Sequence, residues 1–140
     1  LTTPLHMAMI VSAIANGGKA AKLYLIEKTV SPLGLPSLPR LNGKTSQLIA
    51  SDTAEILAEM MAQNVQKTYG TGRFPNMDIC AKSGTAEVGE GKTPHAWFTG
   101  FLRNEDAPYA FVVLVENGGG GSSVAGTVAG KVLDVIVNGY

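Results

Sequence analysis

Hydrophobic positions near the start of the chain recur at helical spacing, with Leu5, Met9 and Ala13 on one line and Ile10 and Ile14 on another. Thr3 stands where a helix cap belongs, Pro4 at the first helical position and Gly17-Gly18 at the stop, so a mostly buried helix is expected between them. Residues 21–30 alternate loosely and read as a short strand. Residues 31–44 carry Pro32, Pro36, Pro39, Gly34 and Gly43 and read as a surface connection. A second helix is expected from Ser51, with the serine as its cap and Asp52 and Glu55 near the positive end of the helix dipole. Its apolar face is expected to be Ile56, Leu57, Met60, Met61 and Val65, and Gly70 or Gly72 should end it.

The pattern then changes period. Residues 77–86, 96–102 and 109–116 read as three strands joined by turns rich in Gly, Asn, Asp and Pro, short enough for hairpins. In the third strand Phe111, Val113 and Val115 alternate with Val112 and Leu114, so both of its faces should be covered. After the glycines at 118–121, Ser122 or Ser123 is expected to cap a last helix that packs on the sheet through Val124, Val128, Val132, Leu133 and Ile136. The order of helices and strands predicts an α/β fold, an antiparallel sheet flanked by helices.

Composition narrows the possibilities. A chain of 140 residues with 45% apolar and 16% charged residues is globular, one domain or part of one. Eleven basic residues balance eleven acidic ones, which removes the electrostatic case for nucleic acid as a partner. Cys80 is the only cysteine, so there is no internal disulfide and no zinc ligand set, and no cofactor or metal is expected. No run approaches the ~18 apolar residues of a membrane span, and no signal peptide is visible. Gly43-Lys44-Thr45 and Gly91-Lys92-Thr93 fail as phosphate loops, because the glycine required five residues earlier is Leu38 in one and Ala86 in the other.

The chemistry concentrates in Ala81-Lys82-Ser83-Gly84-Thr85-Ala86-Glu87. On a strand, Ser83 and Thr85 point to the same face and offer two hydroxyl donors beside the positive charge of Lys82. Gly84 has no side chain, so a ligand or another backbone can approach closely. Such an edge suits a carboxylate. Other candidates are weaker: His6 lacks a partnered serine or acid, and His95 precedes Trp97 in a strand and could at most line the outer edge of a cleft. Cys80 between Ile79 and Ala81 reads as a small core residue.

The stretch resembles the Lys-Thr/Ser-Gly box of penicillin-binding proteins, the acyl-serine transpeptidases of peptidoglycan synthesis. Thr3-Pro4-Leu5-His6-Met7-Ala8 with Ile14-Ala15-Asn16-Gly17-Gly18 resembles the helix that follows that family's middle motif. His95-Ala96-Trp97-Phe98-Thr99-Gly100-Phe101 resembles the strand paired with the box. The resemblance implies a partial penicillin-binding/β-lactamase-like transpeptidase fold, with residues 1–140 as the C-terminal portion of one transpeptidase domain. It implies that Lys82 assists proton transfer and that Lys82, Ser83 and Thr85 bind the substrate carboxylate. Gly84 would allow the close approach, and the Thr85 N–H would supply half of an oxyanion hole. The implied partners are peptidoglycan stem peptides, β-lactams and the missing N-terminal half. The implied location is the extracytoplasmic face of the bacterial membrane, by an anchor outside this chain.

The departure from the family is equally specific. None of Ser12, Ser31, Ser37, Ser46, Ser51, Ser83, Ser122 or Ser123 has lysine three positions on or asparagine two positions on, so the family's Ser-x-x-Lys and Ser-x-Asn motifs are absent. The isolated chain is therefore expected to be inactive. Two other readings stay open: a serine β-lactamase or β-lactam sensor built on the same motifs, and a non-catalytic peptide-binding module.

Overall fold

The computed structural model describes residues 2–21, 23, 30–35 and 45–139. Helix α1 (Pro4–Ala15) opens as its sequence predicts: Thr3 Oγ1 accepts from the His6 N–H at 3.2 Å and Pro4 occupies the first turn. Gly17 and Gly18, at φ +58° and +83°, turn the chain out of the helix, and the Gly18 N–H closes on the Ala13 carbonyl at 2.8 Å. The chain then forms β1 (Lys19–Ala20), paired antiparallel with β2 (Ser46–Gln47). The strand expected over 21–30 lies largely outside the described residues, as does most of the connection over 31–44.

Helix α2 (Ser51–Asn64) starts one residue earlier than a serine cap would place it. Ala50 is the cap, and Ser51 is the first helical residue. The helix runs into a π turn, Val65–Tyr69, which Gly70 ends at φ +81°. Three antiparallel strands follow, β3 (Ile79–Ala86), β4 (His95–Leu102) and β5 (Ala110–Val115), in the spatial order β3-β4-β5. Their register pairs Ala81 with Gly100, Ser83 with Phe98 and Thr99 with Val112. A π turn at Gly121–Ala125 leads into α3 (Gly126–Asn138), and neither Ser122 nor Ser123 caps it. Instead the Ser123 hydroxyl donates to the Gly120 carbonyl at 3.3 Å.

Helices cover the sheet on both faces. On one side Ile79, Ala81, Ala96, Phe98 and Leu102 pack with Val65, Tyr69, Phe74, Ala125, Ala129 and Leu133. On the other, Cys80 and Phe101 pack with Val11 and Ala62. Strand β5 touches α1 and α3, so it is covered on both faces, as its alternation implies. Cys80 is fully buried.

Val65 and Leu133 are buried as expected, but other residues of the three predicted helical faces are not. Leu5 and Ile10 on α1, Ile56 and Met60 on α2, and Val128, Val132 and Ile136 on α3 are exposed. The buried residues of these helical segments are mostly smaller: Ala13, Ala54, Ala62, Ala125, Gly126, Ala129 and Gly130. A Cβ on Gly126 would stand 3.2 Å from the Phe98 ring, so the closeness of α3 to the sheet selects its small-residue stripe.

Candidate functional site

Strand β3 lies at the edge of its sheet, and its outer edge carries the Lys82–Thr85 groups. In an antiparallel ladder alternate residues turn their N–H and C=O away from the paired strand. Here those are the odd-numbered positions, because two neighbouring side chains engage them. The Asn64 amide donates to the Ala81 carbonyl at 3.1 Å. The Ser83 N–H donates to the Tyr69 hydroxyl at 2.7 Å. The Lys82 ammonium curls back to the Ser83 carbonyl at 2.8 Å, which sets its charge along the open edge. Two residues on, the same alternation turns the Thr85 N–H outward, where it meets no partner among the described residues.

Ser83 and Thr85 share the α3 face, opposite Phe98 and Ala96 in the register. Ser83 is half-buried and Thr85 exposed. The Thr85 hydroxyl accepts from the Gly121 N–H at 3.5 Å, so the first turn of the final helical segment stands against the strand. Gly121 has to be glycine here, since a Cβ would overlap the carbonyl oxygens of Gly84 and Trp97. Gly84 leaves the other face thin; a Cβ on it would sit 3.3 Å from the Trp97 Cβ. The four sequence-predicted residues are thus together on one edge, with a cation, two hydroxyls and an outward N–H.

Tyr69 is the residue that sequence reasoning missed. Its hydroxyl donates to Ser83 Oγ at 2.9 Å while accepting the Ser83 N–H, and its ring packs edge-on against Phe98 with centroids 5.1 Å apart. Burial pushes its pKa up, but hydrogen bonds with Ser83 and Asn64 and the Lys82 charge outweigh burial and leave it lowered. No local signal marks Tyr69, because it reads as the fraying end of a helix and meets Ser83 only through the π turn. That turn is itself a hint, since π turns recur at functional sites.

The remaining candidates fall elsewhere. His6 is exposed. His95 Nδ1 accepts the Asn117 N–H at 2.9 Å and holds the turn after β5. Among the described residues there is no group of three metal-ligating side chains. A groove of about 1360 Å³ runs between α1, α2 and the far end of the sheet, past Ile56, Met60, Phe101 and Tyr109, and includes none of the Lys82–Thr85 residues. Far from this edge, Arg103 binds Asp78 Oδ1 through Nε at 3.0 Å and Nη2 at 2.7 Å, which fastens the end of β4 to the start of β3.

Comparison with known proteins is consistent with this geometry. Residues 1–134 match the penicillin binding protein transpeptidase domain family. The chain is 34% identical to the peptidoglycan D,D-transpeptidase PbpA of Mycolicibacterium smegmatis over 131 residues, 89% of this chain and 26% of that protein. It is 31% identical to the peptidoglycan D,D-transpeptidase MrdA of Haemophilus influenzae, covering 97% of this chain and 24% of that protein. Penicillin-binding protein A from M. tuberculosis, in its ceftriaxone acyl-enzyme complex, superposes with a TM-score of 0.86 at 30% identity, over 96% of this chain and 32% of that one. The chain thus spans about a quarter to a third of the relatives it matches.

Proposed function

The chain belongs to the penicillin-binding protein transpeptidase family, and we propose that it is the C-terminal portion of one transpeptidase domain, supplying the carboxylate-binding and oxyanion wall of a peptidoglycan cross-linking site. The observation that carries this reading is the open β3 edge, where the Lys82 ammonium, the Ser83 and Thr85 hydroxyls and the outward Thr85 N–H face the same solvent. In the full-length protein a serine from outside this chain attacks the penultimate D-Ala carbonyl of a stem peptide. The Thr85 N–H stabilises the negative charge that develops on that carbonyl oxygen. The C–N bond to the terminal D-Ala breaks, the amine leaves with a proton, and an amine of a neighbouring stem takes the acyl group from the serine.

Lys82 provides positive charge against the terminal carboxylate and beside the proton path. Ser83 and Thr85 donate charge-assisted hydrogen bonds to the same carboxylate. A β-lactam enters as a mimic with its own carboxylate and carbonyl, as the ceftriaxone, imipenem and penicillin G acyl-enzymes of the M. tuberculosis relative illustrate for that protein. The exposed apolar residues of α2 and α3 fit further chain packed over them. Peptidoglycan is built at the extracytoplasmic face, so the full-length protein works there. Its anchor is a segment other than the described helices, none of which is long and apolar enough to cross a membrane.

The test is labelling with a fluorescent penicillin, using the full-length protein and this chain alone. Label is expected on the full-length protein only, and Lys82→Ala should slow its acylation by roughly 100-fold or more. Label on the isolated chain would mean that it holds a nucleophile of its own. No label on the full-length protein would move the peptide-binding reading ahead.

A further inference from the structure

Three hydrogen-bonding groups close on one another at the middle of β3. The Tyr69 hydroxyl accepts the Ser83 N–H at 2.7 Å and donates its single proton to Ser83 Oγ at 2.9 Å. A serine hydroxyl carries one proton and two acceptor sites. With one acceptor site filled by Tyr69, the proton of Ser83 is left to point away, toward the open side of the strand. A donor that is itself receiving a hydrogen bond is polarised and donates more strongly.

Tyr69 is well placed to impose this order. It is 8% exposed, its ring is wedged edge-on against the fully buried Phe98, and Gly70 ends the turn immediately after it. Asn64, one turn earlier in the same helical run, holds the Ala81 carbonyl. Together the two side chains occupy the Ala81 carbonyl and the Ser83 N–H, so along the Lys82–Thr85 stretch the outward backbone donor left for a ligand is that of Thr85.

We infer that Tyr69 is a positioning residue for carboxylate recognition: its hydroxyl fixes Ser83 so that the serine proton is offered to the ligand, and it blocks the strand edge before Thr85. The inference rests on the proposed role of Ser83 and adds a residue outside the Lys-Ser-Gly box. Tyr69 acts through Ser83 and touches no reacting atom. Its effect should therefore depend on the ligand carrying a carboxylate.

The experiment compares acylation of the full-length protein by penicillin G and by its methyl ester, in wild type, Tyr69→Phe, Ser83→Ala and the double variant. Tyr69→Phe keeps the ring and its contact with Phe98. It should slow acylation by penicillin G about tenfold and leave the ester within about twofold, because hydrogen bonds to a charged acceptor are the strong ones. In the Ser83→Ala background the same change should have no further effect on the ratio of the two rates. Equal losses with both ligands, no loss, or an additive double variant would overturn the inference. The ratio does not depend on how much protein is active. Should Tyr69→Phe fail to fold, 3-fluorotyrosine at position 69, a stronger donor of the same shape, should raise the ratio about twofold; an unchanged ratio overturns the inference. A wild type that neither ligand acylates would defeat the transpeptidase reading itself, which is a separate outcome.

Discussion

Along β3, Ile79, Cys80 and Ala81 are at most 5% exposed, whereas Lys82 and Thr85, one to four residues later, stand in solvent. The inner half is enclosed on both faces and fastened at its start by Arg103 on Asp78. The outer half has the same backbone and the same paired strand, but its face is made of hydroxyls, a glycine and a cation. On the proposed function, one strand provides both rigidity and chemistry. Packing at the inner half sets the direction of the backbone, and the ladder carries that direction outward, so the Thr85 N–H is aimed before any ligand arrives. Such pre-aimed donors are the ones worth most in a transition state.

The sharpest way to break the comparison is to remove the aimed donor and keep the strand. Proline is tolerated where a strand N–H faces outward, so Thr85→Pro should fold and yet slow acylation of the full-length protein by roughly 100- to 1000-fold. Thr85→Ala, which keeps the N–H and loses only the hydroxyl, should cost about tenfold. Equal losses in the two variants, measured by stopped-flow acylation, would mean that the backbone donor does nothing special.

The inner half is tested through its thiol. Burial is the main reason that the Cys80 pKa rises to about 11, with Asp78 and Glu59 adding to the rise and Arg103 opposing it. The folded thiol therefore keeps a proton that the unfolded thiol gives up near its ordinary value of 9.0. Between those two values the folded state binds more protons, so stability should fall as pH rises through the window and be insensitive to Cys80 below it. Urea titrations of wild type and Cys80→Ala across this range read the effect as a difference in slope. Parallel curves would mean that the thiol is not held away from water.

The smallest effect belongs to the clamp. Arg103 and Asp78 have side chains 40% and 54% exposed, so Asp78→Ala should lower stability by no more than about 1 kcal/mol. Acylation should stay unchanged, because packing rather than this ion pair directs the strand. A large loss of acylation would instead make the ion pair the anchor.

Much of this was legible in the residues themselves. The Thr3 cap, Pro4 and the Gly17-Gly18 stop bound α1, and the three strands lie within two residues of where alternation placed them. Those signals are local: a cap, a φ angle and a two-residue period act over a few residues. The Lys82–Thr85 group could also be read along one strand, because residues two apart share a face whatever surrounds them. The helical faces could not. Ile56, Met60, Val128 and Val132 form stripes as regular as any core, yet they are exposed while Ala54, Ala62, Ala129 and Gly130 are buried. Periodicity shows that a helix has an apolar side; how near the sheet approaches decides which side is used. Tyr69 is the clearest case of the same limit. Its position fourteen residues before Ser83 carries no sign of contact. Only the π turn and the packing of its ring on Phe98 bring its hydroxyl to that serine, because side chains distant in sequence meet where the backbone folds them together.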